Sequence, residues 1–472
     1  MLVIEYLGFL VSFFNELGYC SICRTMYLKV YTMYEEIIKF LLEDWLKRIP
    51  PKDLLERNKS FNVLDLMEKP RKIVSIVGPR RVGKTYFVYQ AHNEIRRMGN
   101  LSIYFNFEDE RLESNRTVLS DFLTVIKQVI KDKKVYLLLD EIQRIEGWSL
   151  WLRRVYDSGE YSILITGSTS KIAGETLPKE LGGRIISILV LPLRFQEFLK
   201  FKREKVYLDL ARVSESERAK LIRLLEEYLR FGGLPEVVLA PNYKKLLILQ
   251  EYYRSVVSRD IASGKIRNIA LLDSFLKLIL RAKIMSISRI YNALKGAGYR
   301  VGKATLSEYL DQSKEAFFIY TVSVHYPSLK AKVQMPKKIY VTDTGYITAL
   351  VPNADLGRLL ENAVYLELLR RHWHDPQIEI SYWTDKTSEV DFVIHRGEEA
   401  IEAIQVAYDI SKPETKEREV RALTKAIKKL GVKKATIVTG FQYGEIRLGE
   451  TKIEILPYWE WEKREHPKYC IW

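Results

Sequence analysis

Cysteine is scarce in this chain, with three in 472 residues, Cys20, Cys23 and Cys470. A disulfide framework is excluded, and the lone Cys-x-x-Cys at 20–23 has no second pair to complete a zinc site. Reduced, incidental thiols fit a cytoplasmic protein. No run of about 18 apolar residues is present, so no membrane span is expected. The opening MLVIEYLGFLVSFF is apolar but short, contains Glu5, and lacks both a basic leading segment and a small-residue cleavage site. It is not expected to act as a signal peptide. Internal repeats and low-complexity linkers are also missing, which points to domains that pack closely. Acidic residues are outnumbered, 60 against 75 Lys plus Arg, leaving a net charge of +15. That balance favours polyanionic partners such as nucleic acid, although a thermophile's solvated surface yields the same composition.

What is present is more specific. The length calls for two to four domains. Apolar, β-branched runs at 72–77, 101–109, 135–141, 161–168 and 184–193 alternate with helical patterns, the signature of a parallel sheet covered on both faces. Between the first run and its helix stands GPRRVGKT, residues 78–85. This fits the phosphate-binding pattern G-x-x-x-x-G-K-[ST] in the strand-to-helix context that the pattern requires. Gly78 and Gly83 let the backbone, with Pro79, Arg80, Arg81 and Val82, curl its amides towards phosphate oxygens, and the helix entered through Lys84, Thr85 and Tyr86 adds partial positive charge. Lys84 is expected to reach the β- and γ-phosphates of ATP, and Thr85 to offer its hydroxyl to Mg2+.

The run VYLLLDEIQ places Asp140 and Glu141 at the carboxyl edge of the sheet, where open α/β folds bind ligands. Asp140 is expected to hold Mg2+ through water and Glu141 to orient or deprotonate the attacking water. In LITGSTS, Thr166 or Ser168 is placed to sense the γ-phosphate. Arg184, after LGG, is a candidate for stabilising transition-state charge in its own site or a neighbour's, with a plain surface role as the alternative.

Residues 286–342 read as helix, turn, helix and a hairpin wing, with Thr305 as the expected N-cap of the second helix. Arg281, Lys283, Arg289, Lys295, Arg300 and Lys303 follow one another with no acid between them, and Lys330, Lys332, Lys337 and Lys338 continue into the wing. Such a stripe is suited to a phosphate backbone.

With these pieces in order, the chain resembles the archaeal and bacterial AAA-type P-loop ATPases that carry a winged helix and a C-terminal restriction-endonuclease-like domain of unknown function. The resemblance rests on GPRRVGKT, LLLDEIQ, WSLWLRRVYDSG, LITGSTS, LPLRFQEFL, FGGLPEVV, DTGY, LLENAVYLELL and SEVDFVI, across roughly residues 70–410. It implies an AAA+-like P-loop NTPase parallel sheet core with a helical lid, a winged helix and a nuclease-like α/β domain. The expected division is a non-essential extension (1–32), a helical segment (33–69), the ATPase core (70–198), the lid (199–280), the winged helix-turn-helix (281–342) and the nuclease-like domain (343–472). In nucleases of that fold, one acid comes from a helix, a second from a strand, and an E-x-K from the next strand. Here Glu361 and Asp391 match the acids, but Gln405 and Ala407 hold the E-x-K places. An amide is a poor ligand for a hard cation and Ala407 carries no charge, so the domain is expected to be catalytically degenerate.

The expected function is a Mg2+-dependent ATP hydrolase whose nucleotide state drives a DNA-associated motor or switch. The alternatives are a STAND-like signalling or regulatory NTPase acting on protein partners, and an ATP-gated nuclease. DNA through the basic module, a homo-oligomer or a protein partner are the expected associations, with no membrane involvement.

Overall fold

Residues that are apolar on every side form strands only where both sheet faces are covered, and the first half of the chain does this five times. A computed structural model describes residues 34–47, 50–51, 54–57, 63–112, 116–130, 134–168, 178–205, 214–262, 266–326, 335–385, 387–448 and 451–464. The expected extension at 1–32, the three cysteines, Lys330 and Lys332 lie outside the described residues.

Helices α1 (34–47) and α2 (Val63–Glu68) precede β1 (Ile73–Val77), α3 (Lys84–Arg97), β2 (Leu101–Asn106), α4 (Arg116–Val129), β3 (Val135–Asp140), α5 (Trp148–Asp157), β4 (Tyr161–Gly167) and β5 (Ile185–Leu189). All five strands are parallel in the order β2-β3-β4-β1-β5. Every residue of β1, β3 and β4 is buried. Because the strands run one way, the ends of β1, β3 and β4 open on the same sheet edge, with β4 between the other two.

The helical lid follows: α6 (Phe195–Phe201), α7 (Glu215–Phe231), α8 (Pro235–Leu239), α9 (Asn242–Ser255), a π-helical turn (Val256–Ile261) and α10 (Ile269–Arg281). The basic module comprises β6 (Ile284–Met285), α11 (Ile287–Gly296), α12 (Lys303–Glu315), β7 (Ile319–Val324) and β8 (Lys337–Val341). Helix α12 is capped by Gly302 rather than by the expected Thr305, which lies in its first turn. The remainder is α13 (Thr344–Leu350), α14 (Leu356–His372), β9 (Ile378–Thr384), β10 (Glu389–Arg396), β11 (Glu399–Ala407), α15 (Pro413–Leu430), β12 (Lys434–Thr439), β13 (Gly444–Leu448), β14 (Thr451–Pro457) and α16 (Tyr458–Lys463).

The structure departs from the expected division at 342/343. A single mixed sheet runs β13-β14-β12-β11-β10-β9-β7-β8-β6, so the hairpin of the basic module is built into the C-terminal sheet. The join is the parallel pairing of β7 with β9, Ser323 against Ser381 and Val324 against Tyr382. An edge hairpin offers unpaired backbone groups, and pairing with β9 satisfies them. The strands of the expected wing are therefore part of this sheet, and Lys338 is buried. One apolar cluster extends from Val74 and Ile76 through Leu229, Phe275 and Leu306 to Trp459 and Trp461, joining core, lid, module and C-terminal sheet.

Three short sequence signatures meet at a second join, where the lid packs against the start of α13. Leu193 N–H donates to Gly233 O at 2.8 Å. Gly233 N–H donates to Asp343 Oδ2 at 2.7 Å, and Gly345 N–H to Asp343 Oδ1 at 2.8 Å. A Cβ on Gly233 would lie 2.2 Å from Leu193 O, so only glycine fits. Burial pushes the Asp343 carboxyl up to about 7 against the pull of these backbone bonds.

Candidate active site

The loop between β1 and α3 turns back on itself because its glycines adopt positive φ, +146° at Gly78 and +91° at Gly83. A Cβ on Gly78 would lie 2.1 Å from Val190 O, which excludes a side chain there. Arg81 also has positive φ, 70°. Val82 is buried beneath the loop, and Tyr86 is exposed on the first turn of α3. Lys84 is buried, and its Nζ donates to Gly78 O at 3.0 Å and Pro79 O at 2.9 Å. Burial lowers the Lys84 pKa, while Glu141 and Asp140 favour its charged form.

The acids arrive from β3. Asp140 Oδ2 accepts from Thr85 Oγ1 at 2.9 Å and from the Tyr104 hydroxyl at 2.8 Å. Its Oδ1 accepts from the Thr166 hydroxyl on β4. Glu141 leaves the strand in a left-handed conformation, φ 54°, and its N–H donates to Thr166 Oγ1 at 3.1 Å. Glu141 Oε2 accepts from Ser168 Oγ at 3.4 Å and from Gln143 Nε2 at 2.5 Å. Burial raises the Glu141 pKa and Lys84 opposes it, which leaves a stronger base than a solvated carboxylate. Loop and acids thus converge at one edge. Thr166, fully buried, ties the two acids together, whereas Ser168 faces Glu141. The Thr85 hydroxyl and Asp140 carboxylate form an oxygen-only pair that suits Mg2+, which needs few protein ligands when phosphates supply others.

Arg184 requires a correction. It directly precedes β5 and its carbonyl accepts from Ile73 N–H, at the start of β1. That is the sheet edge opposite the loop, and its guanidinium is bonded to Asp157 at 3.0 Å. The parallel sheet thus carries Arg184 a full strand length away from Lys84, beyond reach of its own chain's site.

Two supporting residues were not legible in sequence. Tyr104 holds Asp140 from β2, and no local signal marks it among the alternating residues of that strand. Arg57, buried and ahead of α2, donates from Nη1 to Val82 O at 3.0 Å and Leu191 O at 2.9 Å. It also pairs with buried Glu197 at 2.9 Å, whose carboxyl is held down at about 2 although burial opposes this. Arg57 thereby fixes the loop to the start of the lid.

The C-terminal cleft, about 1150 Å³, gathers Glu361 of α14, Asp391 of β10 and Gln405 and Ala407 of β11. Gln405 lies against Asp391, accepting from its N–H at 3.2 Å and donating to Glu419 at 2.7 Å. The charge that Ala407 lacks comes from elsewhere: Lys338 of β8 places Nζ 2.6 Å from Asp391, 2.9 Å from Glu389 and 3.0 Å from Glu361. Gln405 and Ala407 stand in the E-x-K places as expected, and the lysine beside the acids comes from another strand. Lys338 is invisible to an E-x-K search because it lies 69 residues before Ala407. Among the described residues no group of three or more His, Cys, Asp or Glu is arranged to hold a metal ion.

Comparison with known proteins gives three matched segments. An AAA domain matches residues 70–199, and two domains of unknown function, DUF8612 and DUF4143, match 222–357 and 356–461. An uncharacterized protein of Methanocaldococcus jannaschii is 38% identical over 83% of this chain and 88% of its own length. An uncharacterized protein of Haemophilus influenzae is 28% identical over 76% of this chain and 88% of its own. Among solved structures, AMPPCP-bound DnaA from Aquifex aeolicus overlaps 55% of this chain and 90% of its own at 14% identity, with a TM-score of 0.27.

Proposed function

Because the chain belongs to the AAA-domain family of P-loop ATPases, we propose that it hydrolyses ATP with Mg2+ and uses the nucleotide state to move a nucleic-acid-binding module. The observation that carries this reading is the convergence of Lys84 and Thr85 with Asp140 and Glu141 across three strands, Thr85 Oγ1 standing 2.9 Å from Asp140. In this reading the loop amides and Lys84 hold the phosphates, and Thr85 and Asp140 hold Mg2+, which when bound neutralises phosphate charge. Glu141, kept basic by burial, takes the proton of the attacking water, and Ser168 and Gln143 hold its carboxylate in place. Thr166 and Tyr104 keep Asp140 oriented.

The DNA part of the reading rests on charge. Arg281, Lys283, Arg289, Lys295, Arg300 and Lys303 are all exposed, and none has an acidic partner among the described residues. Lys295 and Lys303 both lie against the Tyr291 ring, at 5.8 and 5.6 Å. Like charges left unpaired side by side suit a polyanion. The outward residues of α12 include Glu308, Asp311 and Glu315, which phosphates would repel, so contact is expected through α11 and the turn before α12, without base reading.

The test is ATP turnover by the wild type and Lys84→Ala, with and without duplex DNA. Turnover stimulated by DNA and absent in Lys84→Ala is the expected result. Turnover unchanged by Lys84→Ala overturns the site, and activity indifferent to DNA favours a regulator acting on protein partners. The placement of Lys338 against Glu361 and Asp391 favours keeping an ATP-gated nuclease as the remaining reading; duplex left intact with ATP and Mg2+ or Mn2+ excludes it.

A further inference from the structure

The nucleotide loop is gripped from the lid as well as from the sheet. Arg80, in the middle of GPRRVGKT, places Nε 3.1 Å from both carboxylate oxygens of Asp260 and Nη2 3.0 Å from Oδ1. The Asp260 side chain is 5% exposed and that of Arg80 19%, so this pair is shielded from solvent. Asp260 lies on the π-helical turn that continues α9. Beside it, the guanidinium of Arg81 covers the Tyr252 ring of α9 at 5.0 Å. Two consecutive loop arginines, both on a phosphate-binding segment, are thus engaged by the lid. The π-helical turn in turn packs on α10 and on α12 of the basic module. Such turns weaken the helix that carries them and gather at functional positions.

A guanidinium fork serves one bidentate oxygen partner at a time in a given direction. A triphosphate seated on the loop brings several negative oxygens within reach of Arg80, and these compete with Asp260 for it. Asp260 also favours the charged form of Lys84, so its negative charge opposes the arrival of further negative charge beside that lysine. Attraction to Arg80 and repulsion from Asp260 act in the same direction.

We infer that Asp260 is the nucleotide-sensing residue of the lid: a bound triphosphate takes Arg80 from Asp260, frees the π-helical turn, and passes the change to α10 and α12. Asp260 is a positioning residue, acting through Arg80. The inference rests on the ATPase reading above and names how that site is regulated.

The experiment uses the full chain, Mg2+, and two probes, ADP and the non-hydrolysable analogue AMPPNP. Asp260→Asn removes the competing charge with little change of shape. It should bind AMPPNP about tenfold tighter than the wild type, with ADP affinity little changed. A merely structural role would weaken both. In the wild type, hydrogen exchange across 242–262 should quicken with AMPPNP and not with ADP; this second readout needs no variant. AMPPNP binding no tighter in Asp260→Asn, or exchange at 242–262 indifferent to AMPPNP, overturns the inference while wild-type binding leaves the ATPase reading standing. Failure of the wild type to bind either probe removes both.

Discussion

In the proposed reaction Glu141 concentrates the chemistry in one side chain. Its substitution by glutamine keeps the shape and the contacts to Ser168 and Gln143 but removes the base. Glu141→Gln should retain nucleotide binding and lose turnover by about a hundredfold or more, measured by phosphate release in parallel with nucleotide titration; turnover at the wild-type rate would remove Glu141 as the base. Lys338 poses the opposite problem, because its buried ammonium neutralises the buried Asp391 and also pairs with the more exposed Glu361 and Glu389. Lys338→Met leaves them uncompensated and should cost about 3–5 kcal/mol of stability, read from the urea midpoint. These two residues also mark what was legible. The loop residues and Asp140–Glu141 could be read because their chemistry is local, a few positions after a strand. Tyr104, Arg57, Asp260 and Lys338 reach their partners only through tertiary packing, and no spacing in the chain encodes them.

Among the elements, the five parallel strands were readable because burial on both faces leaves an unbroken apolar run, as in VYLLLD. Their order was not; Arg184 is displaced from the site because it stands at the start of β5, on the edge opposite the loop. The β7–β8 hairpin was readable as a hairpin but not as part of a larger sheet, since pairing with β9 leaves no trace in either strand's pattern. The glycine signatures at 232–233 and 345 are explained by Asp343, and this join is sensitive to pH. The Asp343 carboxyl is raised in the folded chain to about 7 from its ordinary value near 4. The folded state therefore holds this proton more tightly than the unfolded one. The stability it contributes is present below about pH 4 and is lost as pH rises through 7. The urea midpoint of the wild type should fall between pH 5 and pH 8 by more than that of Asp343→Asn. Asp391 and Glu462, also raised to about 7 by burial, titrate in both proteins and cancel in the comparison.

For the whole molecule, the net charge of +15 pointed to a polyanion without saying where it would lie. The structure puts unpaired cations on α11 and the turn before α12, and acids on the outward side of α12. Replacing Arg289 and Lys295 by glutamate should weaken duplex binding on all sequences alike. It should also flatten the dependence of log affinity on log salt by about one unit per cation lost. A loss confined to one DNA sequence, or an unchanged salt slope, would place the contact elsewhere. Lys338 has a further consequence at this scale. It belongs to the strand hairpin of the basic module, yet its ammonium is anchored in the cleft of the C-terminal sheet, so the two regions share both a backbone ladder and a buried charge. Whatever meets the module is presented to that cleft at one distance and one angle, as between the arms of a caliper, and any displacement of the module carries the cleft with it as a single arm.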